Sequence, residues 1–157
     1  MTVWTDIDSP IGALRLQSDG DAITAIVFEP LPEPTGERDD AHAMLTEART
    51  QLEAYFAGER TEFDLPLAAS GTPFQQRVWD ELCAIEYGAT STYGEVAHRL
   101  GLPPGAARAV GLANGRNPIP IVVPCHRVVG SKGKLVGYGG GLDRKQKLLS
   151  LESAALF

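Results

Sequence analysis

Cysteine is scarce in this chain: Cys83 and Cys125 are the two in 157 residues. That excludes a disulfide framework and makes a reducing, cytoplasmic setting the expectation. Neither has a second Cys or a His at zinc-finger spacing, so no structural metal is expected. Long hydrophobic runs are also missing. None approaches the ~20 residues that span a bilayer, so no membrane partner is expected. The opening MTVWTDIDSP lacks the basic-then-apolar pattern of a secretory signal. Positive charge is short in the first half. Residues 1–70 hold 4 Lys/Arg against 14 Asp/Glu, a net of −10, whereas residues 71–157 hold 10 against 6, a net of +4. The overall −6 argues against a nucleic-acid partner only if the chain is one body. As two bodies, the acidic part avoids a polyanion and the basic part can meet one, although two merely solvated surfaces would show the same asymmetry.

With 43% hydrophobic residues, the chain can bury a real core in one domain or two small ones. TVWTDID, ALRLQS and AITAIVF read as short strands separated by SPIG and SDGD, which are turn chemistry. PLPEPTGERDD reads as a loop too rich in proline and acid to pack. AHAMLTEARTQLEAYFAG carries apolar residues at 41, 44, 45, 48, 52, 55 and 56, a helical stripe stopped by Gly58, with His42 a solvated residue at its start. Residues 1–70 thus read as a small α/β domain without a catalytic constellation.

From residue 71 the pattern turns helical. Thr72-Pro73 starts a helix whose face holds Phe74, Val78, Leu82 and Ile85, with Cys83 bordering it as a buried packing thiol. TYGEVAHRLG and LPPGAARAVGLANG follow, the first with a Thr92–Glu95 capping box and a closing Gly101, the second opened by a proline pair. So short a break makes a helix-turn-helix candidate. The second helix is nearly all Ala and Gly, which leaves Arg108 and Asn114 as the side chains with reach. Such a helix reads little sequence in a DNA groove, but it lets the backbone approach closely; tight packing on a neighbour would need the same small residues.

IVVPCHRVV, residues 121–129, places a thiol, an imidazole and a guanidinium side by side after what reads as a short buried strand. Adjacent side chains diverge, so a direct Cys125–His126 bond is difficult and a relay through one water fits better. The imidazole needs a carboxylate to fix its tautomer, and Glu152 in LDRKQKLLSLE is the apolar-flanked candidate. GYGGG at 137–141 has no GK[ST] after it, so it is not a phosphate loop. It would instead close over a flat ligand, with Tyr138 as a stacking or hydrogen-bonding face. No cofactor is expected. On spacing alone, a Cys-His hydrolase remains open.

GAARAVGLANGRNPIPIVVPCHRVVGSKGKLVGYGGGLDRKQKLLSLE resembles the active-site half of the O6-alkylguanine-DNA alkyltransferases (methylated-DNA–protein-cysteine methyltransferases). The resemblance runs from about Thr72 to Glu152. It implies a ribonuclease-H-like α/β domain followed by a mostly helical, winged-helix-like domain with a helix-turn-helix. It further implies single-turnover transfer of an alkyl group from O6 of guanine, with O4 of thymine a further candidate, to Cys125. His126 would deprotonate the thiol through a water, Glu152 would hold His126, and Asn117 would brace the turn carrying the Cys. Tyr93 would donate to the purine ring, and the Cys125 and Val128 carbonyls would take the base amino group. Tyr138 and the backbone near Gly139 would line the alkyl pocket; Gly139 stands where other members carry Ser. Arg108 would fill the stack left by the flipped base, with Ala107, Asn114 and Ser131 also at the DNA. The partner implied is double-stranded DNA, met from the minor groove with little sequence preference by a monomer. The phosphate-binding cations available are Arg108, Arg116, Arg127, Lys132, Lys134, Arg144, Lys145 and Lys147. Alkyltransferase-like proteins, which bind without repairing, lack the cysteine that is present here.

Overall fold

Turn residues between the first three apolar runs fold them back on one another. In the computed structural model, which describes residues 1–136, 138 and 140–154, β1 (Val3–Ile7), β2 (Leu14–Ser18) and β3 (Ile23–Phe28) form an antiparallel meander. Val3 lies opposite Ser18 and Leu14 opposite Phe28. The segment expected to stay unpacked does pack. Glu37–Arg38 form β4, parallel to β1 at the sheet edge, so the order is β3-β2-β1-β4. Its charged groups explain this: Asp40 accepts from the Thr5 hydroxyl at 2.7 Å, and the Arg38 guanidinium lies 5.2 Å from the Trp4 ring centre.

Helix α1 (Ala43–Phe56) presents Leu45, Ala48, Leu52 and Tyr55 to the sheet, all fully buried. His42 is its N-cap, accepting from the Met44 N–H at 3.2 Å, a more definite role than solvated helix start. Past the C-cap, the Gly58 and Glu59 N–H groups close on the Tyr55 and Ala54 carbonyls, with Gly58 at φ +76°.

The chain divides into two compact units, Met1–Ser70 and Gly71–Phe157. In the second, Thr72 and Gln75 form a capping box that opens α2 (Pro73–Leu82). The helix stops at Leu82, so Ile85 reaches the core from a turn and Cys83, expected to be buried, is exposed at the helix end. β5 (Ser91–Thr92) runs into α3 (Tyr93–Arg99), capped by the Thr92–Glu95 box. A 3-10 turn at Pro104–Ala106 then leads into α4 (Ala107–Gly115), which packs on α3 and α2. The Trp79 indole pins the end of α4 by donating to the Ala113 carbonyl at 2.8 Å. β6 (Val128–Val129) pairs in parallel with β5, and α5 (Leu142–Ala154) follows. Among the described residues no helix is long and apolar enough to cross a membrane.

The α3–α4 break depends on Gly101, which closes α3 at φ +73° in open space. Gly101→Ala meets no atom and suffers only the left-handed conformation, so it should cost about 1 kcal/mol. Urea denaturation checks this. A neutral result would show that the break is set elsewhere.

Candidate active site

The stretch ahead of the cysteine is a turn where a strand was expected. Pro118, Pro120 and Pro124 deny it regular ladder donors. Ile121, buried and β-branched, is held at φ +76°, a strain of order 1–3 kcal/mol that the surroundings must impose. Asn117 imposes it with both ends of its amide: Nδ2 donates to the Val123 carbonyl at 2.8 Å, and Oδ1 accepts from the Ile119 N–H at 2.9 Å.

Cys125, His126 and Arg127 then form a single 3-10 turn, all three buried. At three residues per turn the side chains fan out about 120° apart. This is how neighbours in sequence come to address different partners. His126 Nε2 and Glu152 Oε2 are 2.6 Å apart, at 0% and 1% exposure. The other ring nitrogen, Nδ1, is buried and has no hydrogen-bond partner among the described residues. Burial holds the imidazole below its ordinary 6.5, against the pull of Glu152 and with help from Arg127 and Lys145. Burial likewise raises the Cys125 thiol, while hydrogen bonding from Asn117 and Tyr138 and the Lys145 charge act the other way.

Around this turn the remaining candidates separate. Tyr93 opens α3, half-buried, and its hydroxyl donates to the Val136 carbonyl at 3.4 Å. Burial first, then Cys125, raise its pKa, so it stays a proton donor. Tyr138 is half-buried, its ring centre 5.9 Å from Lys145 Nζ. Val128 is buried. Gly139 lies outside the described residues. Arg108 is exposed on α4, Ala107 is half-buried at its first turn, and Ser131 is exposed in a turn after β6.

Asn114 does not face outward with Arg108. It is 3% exposed, and its Nδ2 points to the Cys125 carbonyl at 3.3 Å. Six residues on from Arg108 it lies about 120° around the helix, turned in. The exposed partner of Arg108 is instead Leu112, one turn on and 67% exposed. Two expected phosphate-binding cations are also internal. Lys145 is 0% exposed, and its Nζ donates to the Val128 carbonyl at 2.6 Å and the Val136 carbonyl at 3.0 Å. Arg127 grips Glu152, with Nε to Oε1 at 2.8 Å and Nη2 to Oε2 at 3.1 Å, and donates Nη1 to the Ile85 carbonyl at 2.7 Å. The signal was in α5. Lys145, Leu148 and Glu152 sit at i, i+3 and i+7, so two charges occupy the buried stripe.

Fold and site together define a class: a two-unit protein whose helical unit joins a helix-turn-helix to a buried thiol, imidazole and carboxylate. Comparison with known proteins narrows it. Residues 2–69 match the family model of the 6-O-methylguanine DNA methyltransferase ribonuclease-like domain, and residues 73–154 that of its DNA binding domain. The Mycobacterium tuberculosis methylated-DNA–protein-cysteine methyltransferase is 55% identical over 157 residues, covering 98% of this chain and 94% of its own. The Methanosarcina acetivorans protein of the same name is 49% identical over 153 residues, covering 94% and 96%. Among solved structures, Mycobacterium tuberculosis OGT in complex with DNA superposes with a TM-score of 0.91 at 52% identity, covering 98% of this chain and 94% of that one. The chain belongs to the 6-O-methylguanine DNA methyltransferase family.

The buried neutral imidazole has a consequence for stability. Its folded-state pKa lies below the unfolded value, so the unfolded chain binds the proton more readily. The stability it contributes is full above about pH 6.5 and is lost as pH falls through the folded-state value. Urea denaturation followed at Trp79, in a Trp4→Phe background, should show a loss from pH 7 to pH 5 that His126→Gln reduces. An equal loss in both would mean that other groups govern the acid limb.

Proposed function

We propose that this protein repairs DNA by taking an alkyl group from O6 of guanine onto its own Cys125, once per molecule. The burial of Cys125 in one turn with His126, itself bonded to Glu152, carries this reading. With Nε2 committed to Glu152, Nδ1 is the nitrogen able to accept the thiol proton, through one water. The thiolate attacks the alkyl carbon, the C–S bond forms and the C–O6 bond breaks. The negative charge passes to the purine, to whose ring Tyr93 donates a hydrogen bond by turning its single O–H away from the Val136 carbonyl. The product thioether has no leaving group that the site can activate, so turnover ends there.

A base inside a duplex cannot reach a buried thiol, so it must leave the stack, at a cost of a few kcal/mol. Arg108, exposed on a helix of small residues, fills the gap from the minor-groove side, and the protein acts as a monomer on any flanking sequence. Asn117 braces the cysteine turn. The Cys125 and Val128 carbonyls take the base amino group; the first also accepts from Asn114 and from the Val128 N–H, the second from Lys145. Residues Gly71–Phe157 carry the DNA and the chemistry.

Incubation with labelled O6-benzylguanine tests the chemistry. One label per chain, in the peptide holding Cys125 and not that of Cys83, supports the reading, and Cys125→Ser should take none. Continuous release of product would instead make this a hydrolase, and no label a binding protein. On alkylated duplex, Arg108→Ala should slow repair by about 1–3 kcal/mol, the size of an unstacked step. Its reaction with the free base should barely change; equal losses on both substrates would remove the stacking role.

Leu112 and the corrected set of cations make a second prediction about DNA. With Arg127 and Lys145 internal, and Arg144 half-buried with its Nη1 on the Gly140 carbonyl at 2.9 Å, the exposed Arg108, Arg116, Lys132, Lys134 and Lys147 remain for phosphates, which gives a slope of a few units in log K against log salt. Leu112→Ala should weaken duplex binding about threefold to tenfold without changing that slope, because its contribution is apolar contact with the groove wall. A change in slope, or no change in affinity, would place Leu112 off the DNA.

A further inference from the structure

Arg127 is buried, charged and adjacent to His126, yet the chemistry above assigns it no task. Its guanidinium is held on two sides. Nε and Nη2 make a two-pronged bond to Glu152 at 2.8 and 3.1 Å, while Nη1 is anchored on the Ile85 carbonyl at 2.7 Å and the group lies 5.7 Å from the Tyr87 ring centre. Glu152 Oε2 therefore takes Arg127 Nη2 and His126 Nε2 on the same atom, the latter at 2.6 Å.

We propose that Arg127 is the positioning residue of the proton relay: by gripping both oxygens of Glu152 it fixes the carboxylate and neutralises its charge, so that Glu152 orients His126 without protonating it. The proposal rests on Cys125 being the alkyl acceptor. A carboxylate buried beside an imidazole with no other cation would stabilise the imidazolium and so occupy the base before the thiol needs it. Paired with Arg127, the carboxylate still accepts the Nε2 proton, but the net charge it presents is near zero. His126 then rests neutral, with Nδ1 the acceptor. The charged and titratable groups around it support this balance. Glu152 and Lys145 reach it from α5 and Arg127 from its own turn; Tyr87 lies against Arg127 and Tyr93 is within reach of the Cys125 charge. Burial is the largest influence holding the imidazole neutral; of the charged groups, Glu152 raises its affinity for a proton, and Arg127 and Lys145 lower it. The two-pronged geometry also explains why arginine stands here: lysine would supply the charge without the fork.

The test uses the full chain, with ¹⁵N NMR of the His126 ring and single-turnover transfer from free O6-benzylguanine across a pH series. In the wild type at neutral pH, His126 should be neutral with its proton on Nε2. Arg127→Gln keeps a hydrogen bond to Glu152 but loses the charge. It should show imidazolium at the same pH, with transfer slowed about tenfold for each unit by which the imidazole titration rises, and the rate should recover at high pH. Arg127→Gln/Glu152→Gln, with neither charge, should restore the neutral imidazole and leave a loss that does not depend on pH. Arg127→Lys should keep the imidazole neutral yet transfer several-fold more slowly.

A neutral imidazole in Arg127→Gln, or a loss equal at every pH, would overturn the proposal and reduce Arg127 to packing. If Arg127→Gln does not fold, a lysine variant as fast as wild type overturns it as well. Wild type that takes no label on Cys125 would instead sink the parent reading, and the NMR result on Arg127 would stand apart from it.

Discussion

The Glu152 carboxylate, buried between His126 and Arg127, is the interaction on which the site depends. It ties α5 to the turn that carries Cys125 through three hydrogen bonds, two from a cation and one from the imidazole. Isolated, any one of these charges would be intolerable at this depth; together they are satisfied, and removing one leaves the others exposed to the full desolvation penalty. The geometry of the turn follows from the same constraint. A 3-10 turn spreads Cys125, His126 and Arg127 widely enough for two of them to meet one carboxylate while the thiol faces Asn117, Tyr138 and Lys145.

The local rules of the chain were legible wherever structure is decided within a few residues. Both threonine N-caps, at Thr72 and Thr92, and the glycine stops at Gly58 and Gly101 lie where turn and capping chemistry place them. The three strands of the meander and the stripe of α1 follow from hydrophobic periodicity. The pairing of His126 with Glu152 was also readable, because it needs only a base and one apolar-flanked carboxylate.

What escaped the sequence depends on contacts between distant segments. Arg127 and Lys145 look like surface cations until the carbonyls of Ile85, Val128 and Val136 close around them. Ile-Val-Val looks like a strand, yet flanking prolines and the Asn117 amide bend it into a turn with a left-handed isoleucine. Asn114, expected at the DNA, turns inward and Leu112 stands exposed, since helical phase alone does not say which face α2 and the cysteine turn will cover. Cys83 is exposed because α2 ends one residue before it. The acidic loop forms β4 because its charges find Thr5 and Trp4 on β1.

The central claim is that thiol, imidazole and carboxylate act as one unit, with the carboxylate working only through the imidazole. A double-mutant cycle measures this most directly, using single-turnover alkyl transfer by His126→Gln, Glu152→Gln and the double variant. The account predicts that the double variant is little slower than His126→Gln alone. Losses that simply add would contradict it, because they would show Glu152 serving the reaction by a route that does not pass through His126.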